Sequence, residues 1–534
     1  MRRQRRSGRI AALAAAMAAA PATWVCAQGT CFDAKLISSD VGDRDRLGSA
    51  VSIAGNAAAL ATVTDGNLGV NRRVVYLFRR GPGGWAEEAK FGVPDPFDET
   101  LEYGRSVAVG GDVLVVGAIS PAGDPLGSQG YAFVYHYNDG RGMWNFVTAL
   151  AEATSAGEPA SIFGWTVGVS PDGHIIVATS GEVLKNGEII RIAYIYRRDA
   201  NDEWAMEQRV VFAEPNARWI WIPSNWLDVD DGQFIAGYAG NLDHASDGTA
   251  AIFRYDAGAA AWVREALLTS PDGAADSFFG LGVSNHGDVA AVVEPDDVSG
   301  FGAVHIYRRA ADGSWPLEAS LRGNETRALF SDVAVQDGVV MVSGRRSTSG
   351  ERVVFVYRHD GSGWTADDRA LGDDMPVGSS FGRSFDADAT GVLVAEMFDD
   401  EVQPFGGAGH VFALPTNDDC NANGISDGCD ILAGDSDDAD GNGVPDECQG
   451  PICGGREATV YVDQFGRIVG GPLDGRPYRG LLIATSADDV VMGTIGDDLI
   501  IDAGGSAVIC GNGGNDRIVG RGHGSPASVG NRAR

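Results

Sequence analysis

The sequence predicts an all-β protein built around a seven-bladed β-propeller, followed by a small loop segment and a short parallel β-roll-like domain. Three features of the 534 residues carry this prediction. One unit recurs seven times, with Gly or its substitute at positions 48, 104, 164, 226, 280, 330 and 382. An Asp/Asn-rich grid then occupies residues 419–448, and a nine-residue period runs from 484 to 519.

Each repeated unit reads as two β-hairpins. YGRSVAVGGDVLVVGA (103–118) and FGLGVSNHGDVAAVVE (279–294) show the first hairpin, and an aromatic-rich strand such as AFVYHY follows. In the first six units a turn and a Trp come next, at Trp85, Trp144, Trp204, Trp262, Trp315 and Trp364. Four short strands per unit, seven times, are typical of a propeller. A series of β-sandwiches would not require Gly and Trp at one phase.

These motifs resemble the FG-GAP repeat family over residues 33–415. The resemblance implies an integrin-α-like seven-bladed propeller that serves ligand recognition or adhesion. That family often carries calcium loops of the form DxDxDGxxD between strands 1 and 2. Here only Asp386-x-Asp388-x-Thr390-Gly391 approximates one, and Val394 stands where the last Asp belongs. We therefore expect no calcium inside the propeller.

The N-terminus reads as a secretory signal over residues 1–27. A basic start (MRRQRRSGR) precedes a short apolar stretch, and Val25-Cys26-Ala27 offers a cleavage site. The mature protein is expected to be secreted or attached to the cell surface, with no transmembrane segment. Cysteines remain at positions 31, 420, 429, 448, 453 and 510, and an even count outside the cell favours disulfides. The disulfide Cys453–Cys510 is expected. Two schemes stay open for the other cysteines: Cys31–Cys420 together with Cys429–Cys448, or the local pair Cys420–Cys429.

Residues 416–450 hold two tandem calcium-binding loops. EF-hand-like loops take ligands from positions 1, 3, 5, 7, 9 and 12, with Gly at position 6. The first loop offers Asp419, Asn421, Asn423, Ile425 (by its carbonyl), Asp427 and Asp430, and the second offers Asp438, Asp440, Asn442, Val444 (by its carbonyl) and Asp446. Hard oxygen ligands without histidine favour Ca²⁺ over zinc. The segment resembles thrombospondin type 3 repeats.

The nine-residue units between residues 484 and 519 resemble hemolysin-type (RTX) repeats, which form a calcium-holding parallel β-roll. The roll-like domain is expected to span residues 451–520. Units such as GTIGDDLII and GNGGNDRIV alternate sides in such a roll, so that loops two units apart stack. Asp498 and Asp516 are then expected to share one side and one ion, whereas Asp489 faces Ala507. Residues 521–534 are expected to be disordered.

Charge and missing motifs narrow the function. The formal net charge of −32 disfavours nucleic acid as a partner. No Walker P-loop or HExxH motif occurs, and the GxSxG-like string GISDG (424–428) falls inside a calcium loop. We expect a non-enzymatic, calcium-binding protein that recognises an extracellular protein or glycan. The alternatives are a propeller hydrolase or lyase acting on extracellular polysaccharide, and a structural envelope component.

Two structural expectations follow from the repeat. The seventh unit lacks a Trp-bearing fourth strand, so AKLIS (34–38) should supply the outer strand of blade seven, antiparallel to 409–414. The longer 2–3 and 4–1 connections should share one face, where binding loops concentrate. On that face Trp219, Trp221 and Trp226 form the candidate ligand site. The alternative is that these rings fill a gap left where Trp226 replaces Gly.

Overall fold

The computed structural model describes most of two regions of the chain. The first is residues 32–414, apart from 65–72, 82, 98–100, 120–129, 139, 153–162, 184–188, 218–226, 240–247, 274–276, 296–300, 324–326, 347–348, 360, 367–369 and 373–379. The second is residues 452–520, apart from 454–455, 463–465, 488 and 505–506; residues 431, 436, 445 and 527–528 are also described. No helix of these residues has the length and apolar character needed to cross a membrane.

Twenty-eight strands form seven four-stranded antiparallel sheets, which confirms the seven-bladed propeller. Blades 1 to 3 are β2 (Val51–Ala54), β3 (Ala57–Ala61), β4 (Val75–Gly81) and β5 (Gly84–Phe91); β6 (Glu102–Gly110), β7 (Val113–Ile119), β8 (Tyr131–Asn138) and β9 (Met143–Leu150); and β10 (Val167–Val169), β11 (Ile175–Val183), β12 (Ile189–Arg198) and β13 (Trp204–Ala217). Blades 4 to 6 are β14 (Leu227–Asp230), β15 (Gln233–Tyr238), β16 (Thr249–Asp256) and β17 (Ala261–Thr269); β18 (Val283–His286), β19 (Val289–Glu294), β20 (Ala303–Arg308) and β21 (Leu317–Arg322); and β22 (Arg327–Gln336), β23 (Val339–Arg346), β24 (Arg352–His359) and β25 (Trp364–Ala366). Blade 7 is β26 (Phe385–Asp388), β27 (Gly391–Glu396), β28 (Ala408–Phe412) and β1 (Phe32–Leu36).

Blade 7 is closed by the N-terminal strand, as predicted. β1 pairs antiparallel with β28, and Lys35 lies opposite His410. Lys35 also forms an ion pair with Asp399 at 2.6 Å. The first described strand therefore joins the ring to the end of the last blade.

Glycine at the head of five inner strands, at positions 48, 104, 164, 280 and 382, allows neighbouring blades to approach. Gly164 has φ 79°, and a Cβ there would lie 2.2 Å from the carbonyl oxygen of Tyr131 in the preceding blade. Gly280 has φ 88° and lies in the same way against Thr249. Only glycine combines this backbone conformation with so close a contact. The repeated Gly therefore reports how tightly the blades pack.

Side chains on the inner strands bond to the next blade. Val109 N donates to Ser52 Oγ at 3.1 Å, and Val335 N donates to Ser284 Oγ at 3.0 Å. Asp386 Oδ2 accepts a hydrogen bond from Ile53 N at 2.9 Å, which connects blade 7 to blade 1. These bonds satisfy backbone groups that the sheet geometry leaves unpaired near the channel.

The repeated Trp connects the outer strands of adjacent blades. Four indoles donate to a carboxylate of the preceding blade, at 2.8–3.0 Å, in the pairs Trp85–Asp33, Trp144–Glu88, Trp262–Glu207 and Trp315–Glu265. Three of these carboxylates also accept from an arginine of their own blade, in the pairs Arg79–Glu88, Arg197–Glu207 and Arg254–Glu265. In four of the six Trp-bearing units, the repeated Trp is thus part of an inter-blade contact.

The register corrects the predicted phase of blade 4. Four residue pairs join β14 to β15, and the first pairs Leu227 with Ala236. Four pairs also join β2 to β3, and the first pairs Val51 with Leu60. Leu227 therefore corresponds to Val51, so Ser224, rather than Trp226, corresponds to Gly48. β14 ends at Asp230, and Asp231-Gly232 form the turn that follows. The prediction failed because the degenerate motif of this unit was aligned two residues too late in the sequence.

The C-terminal region contains small sheets with parallel pairing. Its elements are β29 (Ile452–Cys453), β30 (Arg456–Glu457), β31 (Tyr461–Val462), β32 (Ile468–Val469), a 3₁₀ helix (Gly471–Leu473), β33 (Leu481–Ile483), β34 (Val490–Met492), β35 (Leu499–Asp502), β36 (Val508–Cys510), β37 (Arg517–Gly520) and β38 (Ala527–Ser528). Strand β35 lies between β33 and β37, and β36 lies between β34 and β38, all parallel. Strands two units apart therefore stack. The predicted disulfide Cys453–Cys510 is present.

Candidate functional site

The seven inner strands surround a central channel. Its cavity of about 390 Å³ is lined by residues of all seven blades, from Ser52 in blade 1 to Asp388 in blade 7. One end opens among the short turns between strands 1 and 2. The other end opens where the 4–1 connections reach the inner strands.

Two carboxyls lie inside the channel. Asp228 Oδ2 accepts hydrogen bonds from Ser284 Oγ at 2.7 Å and from Asn285 N at 2.9 Å. Burial raises the pKa of both Asp228 and Asp386, that of Asp386 to about 7, although the bond from Ile53 N favours its charged form. Each carboxyl is held by the next blade. We therefore assign them first to inter-blade structure.

Acidic side chains surround the short-turn end of the channel. Burial raises the pKa of Asp231, and the neighbouring charges of Asp172 and Asp230 raise it further. Asp388, in the turn that approximates a calcium loop, instead accepts hydrogen bonds from Thr390 N and Gly391 N at 2.8 and 3.1 Å. Its carboxylate thus stabilises the turn.

The opposite end has a different character, and we call it the basic mouth. It is a depression of about 90 Å³ lined by Arg105, Ser106, Trp165, Thr166, Arg383, Ser384, Ser49, Asp332 and the apolar residues Ala50, Val51, Val107, Val167 and Leu227. Arg105 and Arg383 follow Gly104 and Gly382 in the same Gly-Arg-Ser motif of blades 2 and 7. Blade 1, with Ser49 at this position, lies between them. The circular arrangement thus brings two arginines far apart in sequence to one depression.

The electrostatic surroundings leave these arginines without a carboxylate partner. Glu102 pairs with Arg73 at 3.2 Å. Among the described residues, neither Arg105 nor Arg383 forms an ion pair. The Arg105 guanidinium instead lies 4.3 Å from the Trp165 ring centroid. Burial lowers the pKa of Arg105; the charge of Glu102 opposes this effect, and the smaller repulsion from Arg73 adds to it.

More positive charge lies near Arg383. Burial lowers the pKa of Arg352, and the charges of Arg345 and Arg383 lower it further. Positive charge is therefore concentrated near Arg383, in a chain whose formal net charge is −32.

Two His–carboxylate clusters occupy equivalent positions in blades 5 and 7. His305 bonds to Glu294 at 2.6 Å, and His410 bonds to Glu396 at 3.0 Å. A third carboxylate completes each cluster, Asp272 and Asp399 respectively. Each third carboxylate already pairs with a basic side chain at 2.6 Å, Arg322 and Lys35 respectively. Because the histidines are buried and the charge is compensated, we interpret both clusters as structural networks.

The structure brings Asp498 and Asp516 together, as the nine-residue period predicts. Asp498 N donates to Asp516 Oδ1 at 2.9 Å, and Thr494 N donates to Asp498 Oδ2 at 2.6 Å. A Cβ on Gly511 would lie 2.3 Å from Asp516 Oδ2, so glycine leaves room beside this carboxylate. Two hard carboxylates beside glycine fit part of a Ca²⁺ site, which needs six to eight oxygens. Their calcium role stays a prediction.

The other predicted site residues lie outside the described part of the chain. These are Trp219, Trp221 and Trp226, and the calcium-loop residues Asp419, Asn421, Asn423, Ile425, Asp427, Asp430, Asp438, Asp440, Asn442, Val444 and Asp446. Cys31, Cys420, Cys429 and Cys448 also fall there. Sequence reasoning missed Arg105 and Arg383. Alignment of the repeats held the signal, because only two of the seven units read Gly-Arg-Ser.

Comparisons with solved structures find proteins of low similarity to this chain. An acylaminoacyl peptidase of Pyrococcus horikoshii aligns at 10% identity and TM-score 0.40, over 72% of this chain and 52% of its own length. The β-propeller domain of the Trilobed protease from Pyrococcus furiosus, reported with an open velcro topology, aligns at 10% identity and TM-score 0.37, over 72% and 97%. The Hadza microbial sialidase Hz136 aligns at 11% identity and TM-score 0.37, over 59% and 65%. This chain thus spans about half the length of the peptidase.

No protein-family model and no curated protein matches the sequence. The resemblances to FG-GAP, thrombospondin type 3 and RTX repeats therefore stay predictions.

The prediction that the chain is not an enzyme is wrong. It depended on the absence of local catalytic motifs, whereas the propellers found belong to acylaminoacyl peptidases and a sialidase. Catalytic groups on a propeller can converge from separate blades, so missing local motifs exclude little. At this identity the likeness shows the fold alone and assigns no reaction to this chain.

Proposed function

We propose that this chain is an extracellular ligand-recognition protein whose propeller binds its ligand at the basic mouth. The observation that carries the proposal is the convergence of Arg105 and Arg383, both without an acidic partner among the described residues, on one depression beside Trp165. Binding sites on propellers depend on groups that a rigid ring brings together from distant units.

The position of the mouth supports this proposal. Ser49, Arg105, Trp165 and Arg383 each follow a 4–1 connection and the glycine that fixes the inner strand. Ser52 and Asp386, which make inter-blade hydrogen bonds, lie farther along the same inner strands and therefore deeper in the channel. The mouth therefore has a rigid floor and variable side chains around it, which suits recognition.

Calcium and export belong to the proposal as separate parts. The loops of residues 416–450 and the pair Asp498–Asp516 would hold Ca²⁺, and the signal over residues 1–27 would place the protein outside the cell. Neither part depends on the geometry of the basic mouth.

A hydrolase or lyase acting on extracellular polysaccharide would use the same surface. Asp332, which is 3% exposed and accepts a hydrogen bond from Phe385 N at 3.2 Å, lines the mouth. Glycoside hydrolysis ordinarily needs two carboxyl groups. The binding experiment below therefore includes a product measurement.

The test is retention of ligand by the full-length chain on a panel of extracellular polysaccharides and matrix proteins. Wild type, the double variant Arg105→Gln/Arg383→Gln and the control Arg264→Gln are compared. Arg264 is an exposed arginine on β17, away from the mouth. We expect wild type and the control to retain the same ligand and the double variant to lose it. New reducing or unsaturated ends in the bound polymer would show hydrolysis or lysis.

Equal retention by all three proteins would overturn the proposed site. Circular dichroism of each variant checks that the propeller is folded, so that lost retention reports on the mouth.

A further inference from the structure

The charge of the basic mouth indicates what kind of ligand it takes. Building on the proposed function, we propose that the mouth binds a carboxylate or sulfate group of an acidic polysaccharide. Arg105 and Arg383 supply planar guanidinium groups, which suit the bidentate geometry of carboxylate and sulfate oxygens.

The depression is the right size for one such group. It measures about 90 Å³, and Ser49, Ser106, Thr166 and Ser384 line it together with the arginines. Hydroxyls beside guanidinium groups can bond an anion or a sugar hydroxyl. Those of Ser106 and Thr166 already bond Gly164 O at 3.4 Å and Thr179 Oγ1 at 2.6 Å, so the arginines, Ser49 and Ser384 are the main candidates for ligand contact. The deeper cavity of about 390 Å³ is lined by Asp228, Asp230, Asp386 and Asp388, whereas Asp332 is the single carboxyl in the lining of the depression, so the cavity is the less favourable place for an anion. The anionic group is therefore held at the mouth and does not enter the channel.

The state of the arginines supports an anion. Arg105 is packed on Trp165, which fixes its side chain and lowers the entropy lost on binding. Arg345 and Arg352 add positive charge beside Arg383. An anion in the depression would give Arg105 and Arg383 the ion-pair partner that neither has among the described residues.

A polysaccharide fits better than an acidic peptide. Peptides commonly bind by adding to an exposed strand edge or by filling an apolar groove. At the mouth the inner strands are already paired within their blades, as β6 is with β7, and serine, threonine and arginine side chains share the lining with apolar ones. A chain of sugars with repeated charges can place one group in the depression and extend over the loop face.

The experiment uses polymers that differ only in charge. Polygalacturonate is compared with its methyl ester, and dextran sulfate with dextran, by isothermal titration against the full-length chain in Ca²⁺ and in EGTA. We expect at least one charged polymer to bind about tenfold or more tightly than its neutral partner. Arg105→Gln/Arg383→Gln should abolish this preference, Arg264→Gln should keep it, and Arg105→Lys/Arg383→Lys should retain part of it.

Other outcomes separate the two proposals. If neutral and charged polymers bind equally and the double variant weakens both, the anion inference is wrong while the binding site stands. If the charge preference persists in the double variant but disappears in EGTA, calcium bridging explains it and the inference is overturned. Tighter binding of poly-glutamate than of any polysaccharide would overturn the polysaccharide assignment. If no polymer binds while the panel finds a protein ligand at the mouth, the polysaccharide class is likewise wrong.

Discussion

Asn285 is an exception among the buried residues of the inner strands. The corresponding positions of the other inner strands hold apolar residues, namely Ile53, Val109, Val169, Val229, Val335 and Ala387. Asn285 is 4% exposed, and neither polar atom of its side chain has a hydrogen-bond partner among the described residues. A buried amide without partners lowers stability, since its desolvation is not offset.

We predict that Asn285→Val stabilises the propeller. Removing the unpartnered amide should raise the free energy of unfolding by roughly 1–3 kcal/mol. Urea unfolding of wild type and variant measures the difference, and Val335→Asn, which introduces the amide in blade 6, should have the opposite effect. A destabilised Asn285→Val would mean that the amide is satisfied by something in the channel.

Asp386 gives a prediction about pH. Its pKa of about 7 in the folded protein lies above the ordinary value of 3.8, because burial disfavours the charged form. Between these values the folded state holds the proton more tightly than the unfolded state. Stability therefore falls as pH rises from about 4 to about 7. Asp386→Asn should flatten this part of the profile.

The measurement is the unfolding temperature at pH 5 and pH 8. Wild type should lose more stability over this interval than Asp386→Asn does, and Asp256→Asn, in the exposed turn of blade 4, should behave like wild type. Parallel profiles for all three proteins would show that Asp386 does not titrate in this range.

Sequence reasoning succeeded for residues whose role repeats. Residues equivalent to Gly164 and Trp144 recur at one phase because most blades make the same close approach and the same outer contact. Arg105 and Arg383 were missed because they interrupt the repeat. Their significance depends on a ring that brings blades 2 and 7 to the same depression.

At the element scale, the outer strands are connected by shared carboxylates. Glu265 of blade 4 accepts a hydrogen bond from Arg254 in its own blade. It also accepts hydrogen bonds from Arg309 and, at 3.0 Å, from Trp315 Nε1 in blade 5. Although burial alone would raise the pKa of Glu265, the hydrogen bonds from Arg309 and Trp315 lower it. The carboxylate is therefore charged in the folded state and connects blade 4 to blade 5.

We predict that Glu265→Ala destabilises the propeller by roughly 1–3 kcal/mol, because three donors lose one acceptor. Chemical unfolding followed by tryptophan fluorescence measures the change. The matched control is Glu203→Ala in an exposed turn. Equal effects of the two substitutions would contradict a connecting role for Glu265.

Closure of blade 7 gives a second prediction at this scale. A chain that begins at residue 39 lacks β1, which exposes the edge of β28 and removes Asp33, the acceptor of Trp85. We expect the unfolding temperature to fall by about 5 °C or more and aggregation to increase. A chain that begins at residue 32 is the control. Identical melting of the two chains would contradict closure by β1.

At the scale of the whole molecule, the periods in the sequence predicted which strands pair. The seven units gave the seven blades, and the nine-residue period gave strands that stack two units apart. The phase of blade 4 could not be predicted, because the degenerate motif of β14 fits two alignments and only pairing chooses between them. The convergence of Arg105 and Arg383 at the mouth could not be predicted either, since it depends on closure of the ring of blades.

Calcium gives a prediction about the C-terminal region. Carboxylates as dense as those of residues 416–450 repel one another without an ion, and an ion bound only by the folded form stabilises it. Chelation with EGTA should therefore increase hydrogen exchange over residues 416–520 and leave the melting of the propeller nearly unchanged. An equal loss in the propeller transition would mean that calcium also binds inside the blades.

The central claim is that Arg105 and Arg383 form a single site, and a double-mutant cycle tests it most directly. Binding of the preferred charged polymer is measured by isothermal titration for wild type, Arg105→Gln, Arg383→Gln and the double variant. If both guanidinium groups hold one anionic group, each single substitution should weaken binding roughly tenfold or more. The double variant should then lose less than the sum of the two free-energy changes, since the first loss already releases the anion. Fully additive losses, or single variants that bind as wild type does, would contradict the claim.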